Sequence, residues 1–192
     1  MAVYQLDCAQ LKEAAASLRA GDRVLLSGTA YTARDAAHRR MAQALKQGEA
    51  LPFALEGAVI YYAGPTPSPA GLPIGSCGPT TSGRMDVYTP ALLDRGLAAM
   101  IGKGERSREV CQAICRNHAV YLCAVGGAGA LAAKCVDACE VIAYEDLGCE
   151  SVKRLHFTCF PLTVAIDCAG GNLFDRGSKI SERPPVSRRL FF

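Results

Sequence analysis

Residues 57–86 read GAVIYYAGPTPSPAGLPIGSCGPTTSGRMD, and the reading of this stretch decides the fold. Residues 58–63 are an unbroken apolar run closed by Gly57 and Gly64. The run is too short for a helix and rich in β-branched and aromatic side chains, as a buried strand would be. A loop rich in Pro and Gly follows from Gly64 to Pro79, and a long loop of that kind inside a compact domain is usually a functional one. It ends at Thr80, and residues 81–95 are predicted to be helical. A strand, a glycine-rich loop and a helix in that order is the repeating unit of an α/β domain.

The same unit recurs on both sides. Upstream, residues 9–19 (AQLKEAAASLR) read as a helix of strong formers ended by Gly21 and Asp22. RVLLSGTAYTAR then reads as a strand running into a polar loop, and residues 35–46 as a helix with Asp35 at its start and Lys46 at its end. Downstream, LAAMIGKG reads as strand and turn, ERSREVCQAICRNH as a helix, and AVYLCAVGG as a strand opening on glycines. CVDACEVIAYEDLG, VKRLHFT and LTVAIDCAG read mainly as strands. The expectation is one mixed α/β domain over residues 1–175, with 176–192 as an extended or partly disordered tail. No internal repeat is visible.

Composition narrows the function classes. The 192 residues are half apolar, enough for a real core, and carry a net charge of only +3. Wholesale nucleic-acid binding does not fit so mixed a charge, although a local basic patch could hold a small anion. No apolar run is long enough to span a bilayer, and the first residues lack the basic start and apolar core of a secretory signal. The ten cysteines show no C-x-x-C pair. Cys111/Cys115 and Cys135/Cys139 are four apart, which puts each pair on one face if those stretches are helical. Buried reduced thiols and a cytoplasmic location are the expectation.

Glycine-rich loops follow strand after strand: SGT, YAGPTP, GKG and VGGAG. Open α/β sheets bind ligands at such carboxyl-terminal strand ends. If Thr80 caps a helix, free N–H groups and a positive dipole end surround its hydroxyl, and Arg84, one turn on, projects to the same side. The bland alternative is an ordinary cap beside a surface arginine. Arg34 closes the SGTAYTAR strand, and Lys103 lies between Gly102 and Gly104, which let a backbone approach a ligand closely. Three cations and a threonine at strand-to-helix junctions suit a small dicarboxylate.

GDRVLLSGTAYTARDAAHRR, AVIYYAGPTP, GSCGPTTSGRMDVYTPALLDRG, MIGKGERS and VGGAGALAAKCV…YEDLG together resemble, in order, the β domain of class I fumarases. The β subunit of tartrate dehydratase shares the same skeleton. The resemblance covers roughly residues 21–175. It implies a swivelling β/β/α domain with a mixed sheet, the β subunit of an iron–sulfur hydro-lyase. In that family the domain closes over a [4Fe–4S] cluster held by three cysteines of an α subunit, whose open iron acts as a Lewis acid. The resemblance matches Thr80 to the catalytic base and Arg34, Arg84 and Lys103 to the carboxylate-binding cations. It implies no metal ligand on this chain. The implied reaction is reversible hydration of fumarate to malate, with L-tartrate or a methylated dicarboxylate as the alternative substrate. A homo-oligomer is left open.

Two rivals come from other classes. Gly127, Gly129 and Ala132 match G-x-G-x-x-A after an apolar strand, a dinucleotide fingerprint, but no second βαβ unit clearly follows. A non-catalytic binding module with a decayed site is the other, and the presence of all four candidate residues stands against it. His38, His118 and His156 show no metal-ligand spacing.

Overall fold

The computed structural model describes residues 1–175, so the sequence-predicted tail lies outside the described residues. Seven strands, β1 (Val3–Asp7), β2 (Arg23–Thr32), β3 (Val59–Tyr61), β4 (Ala99–Gly102), β5 (Val120–Cys123), β6 (Val136–Ala143) and β7 (Val152–Ile166), form one mixed sheet. Its order is β1-β2-β3-β4-β5-β7-β6. Strands β1 to β5 pair in parallel, and β7 runs antiparallel to β5, β6 and β2. The pairing of β2 with β7 closes β2-β3-β4-β5-β7 into a ring. The helices are α1 (Leu11–Ala14), α2 (Asp35–Gln47), α3 (Thr89–Leu93), α4 (Arg108–Arg116) and α5 (Gly129–Ala133).

The unbroken apolar run of β3 follows from this closure. Val59, Tyr61 and Ala63 face the interior of the ring, with Val24, Leu26, Ile101, Leu122 and Phe157. Ile60 and Tyr62 point the other way and meet a second core under the helices, with Met41, Met85, Leu92, Val110 and Ile114. Both faces of the strand are thus covered, so neither can alternate with polar residues. Helix α2 buries Ala37, His38, Met41 and Ala44 on one stripe and ends at Gly48 in the left-handed region. Helix α4 starts at Ser107, whose hydroxyl accepts the Val110 N–H at 3.3 Å.

Three expectations change. Residues 81–95 are not one helix: a 3₁₀ turn, Ser82–Met85, precedes the short α3. The first helix is shorter than expected, a 3₁₀ turn at Cys8–Gln10 leading into α1, and β1 ahead of it was not anticipated. The two carboxyl-terminal strands are a single one, β7, bent at Cys159, where φ is 51° and the register against β2 slips between Leu26 and Gly28. The strand reading of CVDACEVIAYEDLG holds for β6, which contains Cys139, with Cys135 just ahead of it, so the helical condition for this pair is not met. All ten cysteines are free. Burial pushes the Cys8 and Cys77 thiols up to about 12, as for inert structural thiols. No described helix is long and apolar enough to cross a membrane.

Candidate active site

Because β2, β3, β4 and β5 are parallel, their carboxyl ends share one rim, and the loops leaving them carry Arg34, Thr80, Lys103 and Gly126. Backbone pairing fixes the order around the rim. Thr80 donates its N–H to the Tyr62 carbonyl at 2.7 Å, and Pro79 bridges Ala63, so the long loop returns to the end of β3. The loop is closed on itself by Thr66 and Ser76, which exchange two hydrogen bonds of 3.0 and 2.8 Å. Tyr61 donates from beneath to the Cys77 carbonyl at 2.6 Å, and Cys77 donates to the Gly129 carbonyl at 3.0 Å. The VGGAG segment is therefore built into the rim.

Thr81 bridges Lys103 in parallel. Ser82 ties the same two loops, donating its N–H to the Lys103 carbonyl at 2.9 Å and accepting the Lys103 N–H on its hydroxyl at 3.0 Å. The Ser82 hydroxyl is held in turn by the Tyr121 hydroxyl at 2.8 Å. The Lys103 side chain runs along Gly126, where an added Cβ would sit 3.4 Å from its Cδ. Among the described residues no carboxylate pairs with the Lys103 ammonium, and no partner holds the half-buried Thr80 hydroxyl.

Arg34 leaves the end of β2 as the N-cap of α2. Its guanidinium crosses Gly64, where a Cβ would fall 2.6 Å from Nη1, and Nη2 lies 3.3 Å from Glu150. Its Nε is buried without a hydrogen-bond partner. Arg84 reaches back to the first turn of α2, with Nε and Nη2 each 2.8 Å from the Asp35 carboxylate. Asp35 Oδ2 is in ionic contact with Arg84 but outside hydrogen-bond alignment, which leaves that oxygen otherwise unpartnered. Three cations and two carboxylates leave the rim one net positive charge.

The four sequence-predicted residues are therefore gathered at one rim, but two readings of their surroundings change. Thr80 is not a helix cap. That position belongs to Thr81, whose side chain makes no capping bond, and the 3₁₀ turn behind it is four residues long. The Thr80 N–H is taken by the Tyr62 carbonyl, and the short 3₁₀ turn that follows is capped by Thr81, so Thr80 does not have the helix-cap surroundings expected of it. Arg84 is no free surface cation, because Asp35 holds it. Asp35 and Glu150 escaped the sequence reading. Asp35 was visible only as an acidic first-turn residue, and Glu150 meets α2 from 114 positions along the chain at Ala36, a separation with no local signature.

Beneath the rim, Arg106 is enclosed. Its Nε donates to Asp86 at 2.7 Å and its Nη2 to Thr89 at 2.9 Å, and its guanidinium lies 5.3 and 4.8 Å from the Tyr62 and Tyr121 ring centroids. No group of three or more His, Cys, Asp or Glu among the described residues could hold a metal ion. The described side chains thus offer no ligand set for a metal cluster.

Comparison with known proteins matches the sequence to a family. The family model described as "Fumarase C-terminus" matches residues 2–177. Fumarate hydratase 1, mitochondrial, of Leishmania major is 39% identical over 156 residues, 80% of this chain and 28% of that protein. Fumarate hydratase class I, anaerobic, of Escherichia coli K12 is 38% identical over the same shares of both chains. The putative L(+)-tartrate dehydratase subunit beta of Methanocaldococcus jannaschii is 38% identical over 168 residues, 84% of this chain and 86% of that protein. The chain spans less than a third of the length of the two fumarate hydratases. With a family model covering nearly the whole chain, this protein belongs to the Fumarase C-terminus family, whose members here carry the names of class I fumarate hydratases and a tartrate dehydratase β subunit.

Proposed function

We propose that this chain is the β-type part of a hydro-lyase that adds water reversibly to a C4 dicarboxylate, fumarate to malate. In this reading residues 1–175 form a swivelling catalytic domain that closes over a partner α subunit. The carrying observation is the rim itself, where Arg34, Thr80 and Lys103 stand on the loops leaving parallel strands, Arg84 reaches across to Asp35, and the Thr80 hydroxyl has no partner among the described residues. The relatives' names support the reaction class. The [4Fe–4S] cluster belongs to the α subunit in this reading, and the steps below concern this chain's residues alone.

Arg34, Arg84 and Lys103 bind the two carboxylates and fix the substrate's orientation. In dehydration, Thr80 as its alkoxide takes the proton from the carbon next to one carboxylate. The C–H electron pair moves toward that carboxylate, then forms the double bond as the neighbouring carbon loses its hydroxyl as hydroxide with the C–O electron pair; the proton taken up by Thr80 balances that hydroxide, so one water is released overall. The negative charge that builds on the carboxylate is what preorganised cations stabilise. The same cations favour the alkoxide over the neutral hydroxyl. L-tartrate is the second reading, favoured by the tartrate dehydratase subunit beta, which this chain matches over most of that protein's length.

The test is reconstitution. The chain alone should be colourless and without hydratase turnover, and should gain activity with the cluster-bearing subunit it co-purifies with. Turnover of fumarate by the purified chain alone would refute the division of labour. A reconstituted enzyme that dehydrates L-tartrate at least tenfold faster than malate would decide for the second reading.

A further inference from the structure

Among the described residues, Glu150 is the carboxylate that touches both the Arg34 side chain and the backbone that follows it. One oxygen lies 3.3 Å from Arg34 Nη2, and the other accepts the Ala36 N–H at 3.1 Å. Both side chains are about four-fifths buried, at 20% and 22% exposure, so solvent screens the pair only weakly. Gly64 forms the floor of the slot, and the Cys149 carbonyl lies 3.3 Å from where a Cβ on Gly64 would stand. Arg34 is therefore confined between a side-chain-free strand end and the segment Glu145–Glu150.

That segment is itself anchored from two sides. Lys153, 9% exposed, donates its ammonium protons to the Gly148 carbonyl at 3.0 Å, the Cys149 carbonyl at 3.3 Å and the Ser151 hydroxyl at 2.6 Å. On the other side Arg40, in α2, pairs with Asp146 and lies 5.2 Å from the Tyr144 ring. A lysine charge directed at loop carbonyls, with a bidentate arginine opposite, holds the backbone on which Glu150 stands.

We propose that Glu150 is the positioning residue for Arg34, a role that rests on Arg34 being a carboxylate-binding cation. The carboxylate meets Nη2 in ionic contact at 3.3 Å and takes no aligned hydrogen bond from the guanidinium, so it holds the group by charge without using up its fork. A flexible arginine loses rotamer freedom when it grips a substrate, and a side chain already held in its slot loses less. Glu150→Gln separates this role from helix capping. The amide retains an acceptor for the Ala36 N–H but loses the charge that orders the guanidinium.

Two measurements test the proposal. In the isolated chain, Arg34 is labelled with phenylglyoxal and the modified peptide is quantified by mass spectrometry. Glu150→Gln should speed modification of Arg34 at least fivefold while leaving Arg84 and the melting temperature unchanged. Equal Arg34 rates in the two proteins overturn the proposal whatever the enzyme does. In the reconstituted enzyme, Glu150→Gln should raise KM for malate about tenfold, with kcat within about twofold. On an Arg34→Ala background the same change should alter KM less than twofold, and a full tenfold effect there overturns the proposal. Gly64→Ala, which pushes on Nη1 from below, is the second variant and should raise KM similarly. Faster Arg34 labelling in Glu150→Gln, with no turnover of any C4 dicarboxylate by the complete wild-type enzyme, sinks the hydro-lyase reading and leaves the positioning of Arg34 standing.

Discussion

Arg84 and Asp35 form a two-point contact across the rim, with Nε and Nη2 of the guanidinium each 2.8 Å from the carboxylate. Arg84 is half exposed, so without that contact it would be a mobile surface side chain. A lysine lacks the planar guanidinium that turns Nε and Nη2 toward both carboxylate oxygens at once. Arg84→Lys should therefore raise KM for malate by roughly tenfold to a hundredfold, the loss of about one charge-assisted hydrogen bond. Asp35→Asn keeps one acceptor and should give a smaller rise. Steady-state kinetics of the reconstituted enzyme decide it, and a lysine variant with wild-type KM would show that only the charge matters.

Thr80 and Lys103 stand on adjoining loops joined at Thr81, yet should fail differently. Thr80→Ala leaves the backbone bond to Tyr62 intact and removes only the hydroxyl and the γ-methyl. It should lower kcat by roughly 10²–10⁴ with KM nearly unchanged, because a proton-transfer group acts in the transition state. Lys103→Ala removes a ground-state carboxylate partner and should raise KM as well. A Thr80→Ala enzyme with normal kcat would move the base to the partner subunit.

Arg106 predicts a loss of stability without any contact with substrate. Its side chain is fully enclosed and its ion pair with Asp86 is buried. Asp86 also accepts the Ser107 N–H, which ties the start of α4 to the turn after Thr80. Arg106→Met leaves the Asp86 charge uncompensated and should destabilise the chain by about 3–5 kcal/mol in urea denaturation. Adding Asp86→Asn should recover part of that, and a double variant as unstable as the single one would argue against charge as the cause.

His38 sets an acid limit to stability. Burial pushes its pKa down to about 4, the Arg106 charge acts in the same direction, and the Arg34 carbonyl and Asp35 oppose it. The unfolded histidine takes up its proton as pH falls through about 6.5, whereas the folded one stays neutral until about 4. Between those values the unfolded state binds more protons, so stability falls as the pH falls, by up to about 3 kcal/mol. His38→Gln should flatten the urea-derived stability profile in that window. Parallel profiles for the two proteins would mean that other groups carry the acid sensitivity.

The sequence by itself determined the strands and the residues at their ends. Apolar runs bounded by glycine made β2, β3, β4 and β5 legible, with Arg34 and Lys103 just beyond β2 and β4 and Thr80 at the far end of the long loop that leaves β3. Tertiary structure alone decided three things. The β2–β7 pairing closes the sheet, which explains why β3 shows no alternation. The return of the long loop into the sheet takes the Thr80 N–H for Tyr62, so the expected helix cap does not form. The carboxylates that hold Arg34 and Arg84 come from Glu150, far along the chain, and from Asp35, across the rim. The physical reason is one of range. Strand and helix periodicity is written in neighbouring residues, whereas an ion pair depends on distance in space, which is fixed only once the ring has closed.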